Sequence, residues 1–276
     1  MEDIHRAAVL GSPIAHSLSP VLHTAGYEAA GLTGWEYSRI ECVAEDLPRV
    51  VGEADPSFCG FSVTMPCKFA ALEFADEATQ RAVEIGSANT LTRIDGRWRA
   101  DNTDCEGALA ALRELLGDAT PQRAVLVGAG GTARAVMWAL RELGAREVTV
   151  VNRSDRSAEY AELGRGMDVR FIPLDAHAQR AAMDADVVVS TVPAHVLGEH
   201  AKALGHAPLF DVIYAPWPTA LAVRAASNGY PTVGGLSMLA GQSYAQFEQF
   251  TGVAAPREAM RAALLAHCEA SQREER

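Results

Sequence analysis

Three polar segments in the first half of the chain carry side chains that could bind a small polar ligand. In the first, Ser17 and Ser19 stand two residues apart just before a predicted helix. Two hydroxyls at this spacing could donate hydrogen bonds to a polyhydroxylated ligand, although capping of the helix is the simpler explanation of this segment on its own. In the second, Thr64 and Lys68 follow a predicted strand that ends at Val63. Ligand sites of α/β proteins lie just beyond strand ends, so the lysine is placed to meet a ligand with a positive charge.

The third segment supplies amide and carboxyl groups. Ser87–Thr90 contains Asn89, and Ala100–Asp104 follows after a predicted hairpin and ends in an acid, Asp104. A single lysine or aspartate is most often solvated surface, so neither Lys68 nor Asp104 carries an assignment alone. Together the three segments offer hydrogen bonds to a polyhydroxylated ligand, beside a lysine and an acid.

A glycine-rich turn in the middle of the chain has the pattern of a dinucleotide-binding site. A predicted strand leads into a turn that matches G-x-G-x-x-A and opens a helix. The turn consists of Gly128, Ala129, Gly130, Gly131, Thr132 and Ala133. Gly128 permits the tight turn, Gly130 leaves room for a pyrophosphate, and Ala133 is small enough for the helix to pack closely on the strand. The pyrophosphate would lie at the helix N-terminus, where free N–H groups favour negative charge. The motif is weak evidence alone, but here a second strand follows at the expected distance.

The end of that second strand indicates NADP in preference to NAD. NAD-binding proteins usually place an Asp or Glu there, which accepts hydrogen bonds from the ribose hydroxyls. This chain has Asn152, Arg153 and Ser154 instead, with Arg156 close behind. An acid would repel a 2′-phosphate, whereas an arginine fork and a serine hydroxyl can bind it. For Arg156 the alternative of an arginine on a solvated loop stays open.

The elements that must position these groups alternate between strands and helices. The first predicted series is, in chain order, strand Ala7–Leu10, helix Leu18–Ala30, strand Trp35–Ile40, helix Glu45–Val51, strand Phe58–Val63, helices Lys68–Ala75 and Glu77–Ile85, a hairpin of Thr90–Ile94 and Arg97–Ala100, and helix Thr103–Leu116. The second is strand Ala124–Val127, helix Thr132–Leu143, strand Glu147–Val151, helix Asp155–Leu163, strands Val187–Ser190 and Leu209–Val212, helix Ala220–Ser227, strand Thr232–Val233, and helices Leu236–Phe250 and Pro256–Cys268. This alternation predicts an α/β fold with parallel sheets covered on both faces. We expect a first domain of residues 1–104, to which residues 236–276 return, and a Rossmann-type domain of residues 105–235.

Composition narrows the classes of function. The formal net charge is −11, so the chain is poorly suited to a phosphate backbone, and nucleic acid is not an expected partner. No apolar run is long enough to span a bilayer, and Met1–Arg6 contains no apolar core of a signal peptide. We therefore expect no membrane association and a cytoplasmic location. The five cysteines form no C-x-x-C pair and the eight histidines show no H-x-x-x-H spacing, which predicts neither a disulfide framework nor a metal site.

Taken together, these segments resemble the shikimate dehydrogenase family. The blocks that carry the resemblance occur in the family's order and cover nearly the whole chain. They are Ser12–Pro20, Val63–Lys68, Ala88–Thr90, Asp101–Asp104, Gly128–Ala133, Asn152–Ser154, Asp211–Tyr214 with Pro216, Pro218 and Thr219, Gly235–Leu236, and Met238–Gln242. Each block alone is unspecific, whereas the ordered set is highly specific.

The resemblance implies an enzyme that reduces 3-dehydroshikimate to shikimate with NADPH, in the pathway to aromatic amino acids. It implies an N-terminal α/β substrate domain, a Rossmann-type NADP domain and an active site in the cleft between them. By their matches to family positions, Lys68 and Asp104 are expected to be catalytic. Substrate binding is expected from Ser17, Ser19, Thr64, Asn89, Tyr214 and Gln242. Cofactor binding is expected from Gly128, Ala129, Gly130, Gly131, Thr132, Ala133, Asn152, Arg153, Ser154, Arg156 and Gly235.

The chemistry of these side chains fits the implied reaction. Hydride delivery to a ketone carbon builds negative charge on its oxygen, which a protonated Lys68 can stabilise and then protonate. The ligand carries a carboxylate and several hydroxyls. Ser17 and Ser19 suit the carboxylate, while Asn89 and Gln242 suit the hydroxyls.

Some positions depart from the family pattern. Ser62 stands where Asn is frequent, Cys67 where Phe is frequent, and Cys105 where Gly is common. Ser157 stands where NADP-type members often carry a second Arg, which leaves open whether Arg156, one residue earlier, reaches the 2′-phosphate. Cys67 and Cys105 are expected to be small packing residues; the alternative is that modification of one of them blocks the cleft.

Three alternatives remain at this point. One is an NAD-dependent quinate/shikimate dehydrogenase, against which the Ser17-x-Ser19 pair and the Asn152-Arg153 turn weigh. Another is a non-catalytic NADP-binding regulator of the same fold, against which the presence of both Lys68 and Asp104 weighs. The last is another NADP enzyme of the same two-domain plan, such as a folate dehydrogenase, against which the Ser17/Ser19 and Asn89 segments weigh. The expected partner is a small-molecule substrate, shikimate or 3-dehydroshikimate, and a homodimer is one option for the oligomeric state.

Overall fold

The computed structural model describes residues 4–274, which divide into two compact units. The first unit comprises the described residues up to Thr103 together with those from Gln242 onward, and the second comprises Asp104–Gly241. Residues 1–3, which begin the segment considered for a secretory signal, lie outside the described residues. None of the helices described is long and apolar enough to cross a membrane.

The first unit is built on a six-stranded sheet. Its strands are β1 His5–Gly11, β2 Trp35–Glu41, β3 Phe58–Val63, β4 Glu77–Ala78, β5 Thr90–Ile94 and β6 Arg97–Asp101. The helices between them are α1 Ser19–Ala29, α2 Leu47–Gly52, α3 Lys68–Phe74 and α4 Gln80–Ile85, and a short 3-10 turn at Ala44–Asp46 precedes α2. Fully buried side chains such as Leu10, Phe61 and Leu91 form the core against this sheet.

The strand order of this sheet is β2-β1-β3-β5-β6-β4, and the sheet is mixed. β1 pairs in parallel with β2 and β3, and β4 in parallel with β6. β5 runs antiparallel to both β3 and β6. The predicted hairpin is confirmed, but the prediction of a parallel sheet is wrong here. The two-residue turn Asp95-Gly96, with positive φ at both residues, returns the chain at once and can join only antiparallel strands.

One helix of the first unit begins later than predicted. The pattern predicts a helix over Glu77–Ile85, but Glu77–Ala78 pairs with β6 as the short strand β4. Thr79 then has an extended backbone, and its hydroxyl accepts a hydrogen bond from the Ala82 N–H at 3.3 Å. This N-cap starts the helix at Gln80.

The second unit alternates strands and helices throughout. Its elements are α5 Asp104–Leu116, β7 Arg123–Val127, α6 Gly131–Glu142, β8 Glu147–Val151, α7 Ser157–Tyr160, β9 Asp168–Ile172, α8 Ala176–Met183, β10 Val187–Ser190, α9 Ala194–Leu197, α10 Ala201–Leu204, β11 Leu209–Asp211, α11 Ala220–Ser227 and β12 Thr232–Val233. A 3-10 turn at Gly198–His200 joins α9 to α10. The last two helices of the chain are α12 Gly235–Thr251 and α13 Arg257–Glu274.

The sheet of the second unit has the Rossmann order. Its strands lie as β12-β11-β10-β7-β8-β9, and all five neighbouring pairs are parallel. β7 and β10 lie at its centre, and Ala124–Val127 and Val187–Ser190 are buried throughout, as expected for strands covered on both faces. The predicted Rossmann-type fold is confirmed.

Part of the second unit differs from the sequence pattern. A helix is predicted over Asp155–Leu163, but α7 spans only Ser157–Tyr160. The Asp155 carboxylate accepts the Ser157 N–H at 2.8 Å, so the helix cannot begin before this turn closes. Edge strand β9 and the short helices α8, α9 and α10 were not predicted. β9 is only half buried, which leaves a weak apolar pattern in its sequence.

Candidate active site

The glycine turn lies at the point where the strand order of the second sheet reverses. From β7 the chain runs to β8 and β9 on one side, while β10, β11 and β12 lie on the other. The carboxyl ends of β7, β8 and β10 border a pocket of about 450 Å³. Its lining residues are Val127, Gly128, Ala129, Gly130, Val151, Asn152, Arg153, Ser154, Arg156, Leu174, Thr191, Val192, Pro193, Val196 and Leu197. A crevice at such a switch point is where open α/β sheets bind their ligands.

The backbone conformation of the turn requires glycine at Gly128. Its φ is +99°, a conformation that other residues rarely adopt. A Cβ added there would stand 2.5 Å from the Thr191 Oγ1 and 2.9 Å from the Val192 Cγ1. The Gly128 N–H also donates to the Val151 carbonyl at 2.9 Å, which ties the turn to the end of β8. This glycine therefore shapes the pocket by shaping the backbone.

Gly130 has a different reason to be glycine. Its backbone is extended, with φ −87° and ψ −169°, and any residue could adopt it. A Cβ added there would meet no protein atom within 4 Å, although the residue borders the pocket. The missing side chain thus leaves open space directly before α6, whose first N–H groups are without helical partners. That space fits the pyrophosphate of a dinucleotide, while fully buried Ala133 packs the same helix into the core.

The far end of the pocket is basic. The Arg156 Nη1 donates to the Ala129 carbonyl at 3.0 Å, and its Nε lies 3.3 Å from the Glu159 Oε1. Arg156 therefore lies over the glycine turn and lines the pocket, with its side chain 43% exposed to solvent. Arg153 is exposed at the same pocket, and within residues 4–274 its side chain has no hydrogen bond or ion pair. The Asn152 side chain donates to the Ser154 carbonyl at 2.9 Å and holds the turn that presents the arginine.

In the first unit, parallel pairing of β1 with β3 brings two of the polar segments to one edge of the sheet. The Thr64 N–H donates to the Leu10 carbonyl at 2.8 Å, and the Ser12 N–H donates to the Met65 carbonyl at 3.0 Å. Segments Ser12–Ser19 and Thr64–Lys68 therefore leave the sheet side by side.

Neither serine of the first segment is the N-cap residue of α1, which is Leu18 and makes no side-chain bond. The Ser17 Oγ instead accepts the Ser19 N–H at 3.3 Å. The Ser17 carbonyl is held by Arg39, whose Nε and Nη2 donate to it at 3.1 and 2.6 Å. The Ser17 hydroxyl therefore satisfies the N–H of the first residue of α1 from the position before the N-cap, which is close to the capping role considered for it.

Lys68 is the first residue of α3 and is half-buried. Its carbonyl accepts the Ala88 N–H at 2.9 Å, which joins the lysine's backbone to the segment that contains Asn89. The three polar segments of the first unit are thus connected through backbone hydrogen bonds.

Asn89 is a buried predicted site residue whose side-chain amide makes several hydrogen bonds. It is 2% exposed, and its Oδ1 accepts the Thr103 N–H at 2.7 Å and the Thr90 hydroxyl at 2.8 Å. Its Nδ2 donates to the Thr103 Oγ1 at 3.1 Å and faces the Gln242 Oε1 at 3.4 Å. The fold therefore brings Asn89 and Gln242 together, although 153 positions separate them in sequence.

Asp101 is the last residue of β6, and several hydrogen bonds hold its carboxylate in the first unit. Its carboxylate accepts bonds from the Arg81 Nε at 2.7 Å, the Thr79 hydroxyl at 2.7 Å and the Gln249 Nε2 at 2.7 Å. Burial alone would raise the pKa of this carboxyl, but these hydrogen bonds and the Arg81 charge outweigh it and hold the pKa below its ordinary value. Asp101 is thus a structural anion that fixes the end of β6.

Comparison with known proteins decides which family the chain belongs to. Three parts of the chain match family models: residues 9–91 the shikimate dehydrogenase substrate binding domain, residues 110–204 shikimate/quinate 5-dehydrogenase, and residues 235–265 the shikimate 5′-dehydrogenase C-terminal domain. The chain is 39% identical over 274 residues to the shikimate dehydrogenase (NADP(+)) of Citrifermentans bemidjiense, with 94% of each chain covered. The chain belongs to the shikimate dehydrogenase family.

Solved structures of the family superpose on the chain closely. The crystal structure of shikimate dehydrogenase from Mycobacterium tuberculosis has a TM-score of 0.89 and 50% identity, covering 95% of this chain and 99% of that one. That of shikimate 5-dehydrogenase from Thermus thermophilus, in complex with NADP(H) and shikimate, has a TM-score of 0.80 and 32% identity, covering 95% and 99%.

Three further predicted site residues lie in the second unit. Asp104 is the first residue of α5 and is 6% exposed, and Tyr214 is half-buried in the segment after β11. Gly235 starts α12; its N–H donates to the Ile213 carbonyl at 3.1 Å, and an added Cβ would collide with the Val212 carbonyl. Gly235 does not line the described pocket, so packing alone already explains its glycine.

Sequence reasoning missed the residues that follow β10. Thr191, Val192 and Pro193 line the pocket, and the Thr191 hydroxyl donates to the Val127 carbonyl at 2.8 Å. Their position after a predicted buried strand could have indicated a pocket contact. In the Rossmann strand order the fourth strand, here β10, lies beside the first, here β7, so the loop after β10 lies close to the glycine turn. Gln246 and Ser62 were also missed as parts of the Asn89 network, and no local pattern indicates them.

Cys67 is fully buried beside the lysine segment. Its thiol donates to the Cys42 carbonyl at 3.1 Å, and burial raises its pKa to about 12. A thiol in this state is a poor nucleophile, which supports the prediction of a packing residue.

Proposed function

We propose that the chain catalyses the reversible NADPH-dependent reduction of 3-dehydroshikimate to shikimate, a step of aromatic amino acid biosynthesis. The observation that carries the proposal is a Rossmann pocket lined by both the glycine turn and two arginines, in a chain whose residues 9–91, 110–204 and 235–265 match models of the family. Relatives that share this length are named shikimate dehydrogenase (NADP(+)), which supports the same cofactor here.

The pocket residues suit NADP in particular. The open space at Gly130 and the start of α6 would hold the pyrophosphate. Arg153 and Arg156 would hold the 2′-phosphate, because they stand where an NAD enzyme has an acid. The same two charges weigh against the NAD-dependent alternative.

Lys68 is proposed to donate the proton in the reduction and to accept it in the reverse reaction. NADPH, when bound, supplies the hydride to the ketone carbon. As the carbonyl electron pair moves onto the oxygen, the Lys68 ammonium stabilises the growing charge and gives that oxygen its proton. In the reverse direction the Lys68 amine accepts the proton from the hydroxyl. Asp104 is proposed as its carboxylate partner, which favours the charged form of the lysine.

The other predicted residues are proposed to orient the ring. Ser17 and Ser19 suit the ligand carboxylate, while Asn89 and Gln242 suit its hydroxyls. Thr64 and Tyr214 complete the proposed substrate contacts. The assignment of these six residues, the cytoplasmic location and a homodimer stay predictions from the sequence.

The experiment is a set of initial rates of cofactor reduction, with shikimate or quinate and with NADP⁺ or NAD⁺. We expect strong activity for shikimate with NADP⁺ and a loss of about a thousandfold in kcat for Lys68→Ala, since the variant lacks the general acid and its charge. Lys68→Arg is the matched control, because it keeps the charge but cannot transfer the proton well. Faster turnover of quinate with NAD⁺ would move the assignment to the quinate enzyme. No turnover with any pair would contradict a dehydrogenase function altogether.

A further inference from the structure

The arginine that lies over the glycine turn is also paired with an acid. Arg156 lines the pocket of the second unit, and its Nε lies 3.3 Å from the Glu159 Oε1. Residues three apart in a helical turn face each other, and the Glu159 N–H closes this turn by donating to the Arg156 carbonyl at 3.0 Å. A negative charge therefore lies next to one of the two arginines that are proposed to hold the 2′-phosphate.

The backbone of Glu159 is held against the helix that starts at the glycine turn. Arg134, in the first turn of α6, donates from its Nη2 to the Glu159 carbonyl at 3.0 Å. The Arg134 guanidinium also lies over the ring of Tyr160, 5.6 Å from the ring centroid, and Tyr160 is buried. The residue after Glu159 is thus packed in the core. These contacts fix the position of Glu159 and keep its carboxylate within reach of Arg156.

The other arginine of the pocket carries its charge without such a partner. Arg153 is exposed, and its side chain forms no ion pair within residues 4–274. Asp155 is the nearest acid in sequence, but its carboxylate accepts the Ser157 N–H at 2.8 Å. The two arginines of the pocket are therefore not equivalent, because Glu159 offsets the charge of Arg156 alone.

A phosphate bound by Arg156 must either displace the Glu159 carboxylate or share the guanidinium with it. Displacement loses the ion pair that exists in the free protein. Sharing places two anions close together on one cation, where they repel each other. Both routes lower the affinity for a phosphate. NAD has a ribose hydroxyl in place of the 2′-phosphate, so its binding meets neither penalty.

Resting on the proposed binding of the 2′-phosphate by Arg153 and Arg156, we propose that Glu159 is a specificity-determining residue that weakens the binding of NADP and leaves the binding of NAD unchanged. It competes with the phosphate for one of the two arginines. The preference for NADP is therefore smaller than two unpaired arginines would give, and removal of the Glu159 charge increases it.

The test measures the Kd of NADP⁺ and of NAD⁺ by calorimetry for the wild-type protein and for Glu159→Gln, which keeps the size of the side chain and removes its charge. We expect the Kd of NADP⁺ to fall about three- to fivefold, because exposed ion pairs and charges in contact with water interact weakly. The Kd of NAD⁺ should stay the same. In about 1 M salt, where the Debye length is about 3 Å, the two proteins should bind NADP⁺ more nearly alike. The unfolding temperature without cofactor should change by less than about 2 °C, since the substituted side chain is on the surface.

Glu147→Gln is the matched control. Glu147 forms an exposed ion pair with Arg170 at 3.1 Å, and its side chain is 47% exposed against 48% for Glu159. It begins β8, whose opposite end borders the pocket, so its variant should leave the Kd of both cofactors unchanged.

The outcomes separate this inference from the proposed function. An unchanged or higher Kd of NADP⁺ in Glu159→Gln would overturn the inference, as would an equal gain for NAD⁺ or an equal gain in Glu147→Gln. A wild-type protein that binds no NADP⁺ would instead overturn the proposed cofactor site, and this inference with it.

Discussion

Two glycines of the same turn should respond to alanine in opposite ways. At Gly128 the φ of +99° is unfavourable for alanine by roughly 1–2 kcal/mol. The new methyl would also overlap Thr191 and Val192, and such overpacking costs about 1–3 kcal/mol more. We expect Gly128→Ala to lose about 3 kcal/mol of unfolding free energy in all, or on the order of 6–12 °C in unfolding temperature.

Gly130→Ala should leave the fold intact. Its extended backbone accepts alanine, and no protein atom lies near the new methyl, so the loss of chain entropy in the unfolded state should raise stability by about 0.4–1 kcal/mol. The methyl would stand between the pyrophosphate and the start of α6. Loss of one hydrogen bond to a charged group costs about 1.5–3 kcal/mol, which weakens NADP⁺ binding about 10- to 100-fold.

The assay measures the unfolding temperature of both variants without cofactor and then titrates NADP⁺ by calorimetry. Stabilisation by added NADP⁺ gives a second measure of affinity, since it grows with the logarithm of the ratio of ligand concentration to Kd. Wild-type affinity in Gly130→Ala would refute the assignment of that open space to the pyrophosphate. Equal loss of stability in both variants would refute the separation of the two glycine roles.

Three other predictions concern cofactor choice, pH and thiol chemistry. Removing both arginines of the pocket in Arg153→Ala/Arg156→Ala should raise the KM for NADP⁺ at least tenfold and leave the KM for NAD⁺ nearly unchanged, and parallel rises for both would contradict a 2′-phosphate site. Arg81→Met should cost about 3 kcal/mol of unfolding free energy at pH 7, because it removes the positive charge beside the buried Asp101 carboxylate, which then has neutral hydrogen-bond donors. Since the folded pKa of Asp101 is depressed, its contribution is complete above the ordinary value of 3.8, and denaturant unfolding should show the wild-type advantage shrinking as the pH falls below that value. Iodoacetamide at pH 7.5 should leave Cys67 unmodified by mass spectrometry, and rapid labelling with loss of activity would show an accessible thiol.

The features that the sequence predicted well are those with local causes. The turn at Gly128 needs a positive φ and the one at Asp95-Gly96 needs two, so both leave a mark in a few adjacent residues. Strands β7 and β10 are buried, so each appears in the sequence as a short run of adjacent apolar residues. Half-buried β9 has no such run, and the start of α4 depends on a pairing between Glu77–Ala78 and a strand twenty residues away.

The residues of the candidate site likewise fall into those with a local sequence signal and those that only the fold brings together. Lys68, Asn89 and the glycine turn stand in motifs that can be recognised one segment at a time. The network around Asn89 cannot, because Ser62 and Gln246 are 184 positions apart and neither belongs to a motif. The reach of Arg156 likewise depends on a carbonyl of another loop, at Ala129, which the spacing of arginines alone does not reveal.

The carbonyl of Asn89 has a consequence for how this protein can evolve. It accepts both the Gln246 amide and the Val63 N–H, at 2.9 and 2.7 Å, so the neighbourhood of one predicted substrate contact is also part of the pairing between the end of β3 and the start of β5. Mutations that reshape this region for a new ring substituent will therefore loosen the sheet as well. Laboratory evolution toward other substrates should accumulate compensating stabilising changes elsewhere in the chain before, or together with, changes at Asn89 and Gln246.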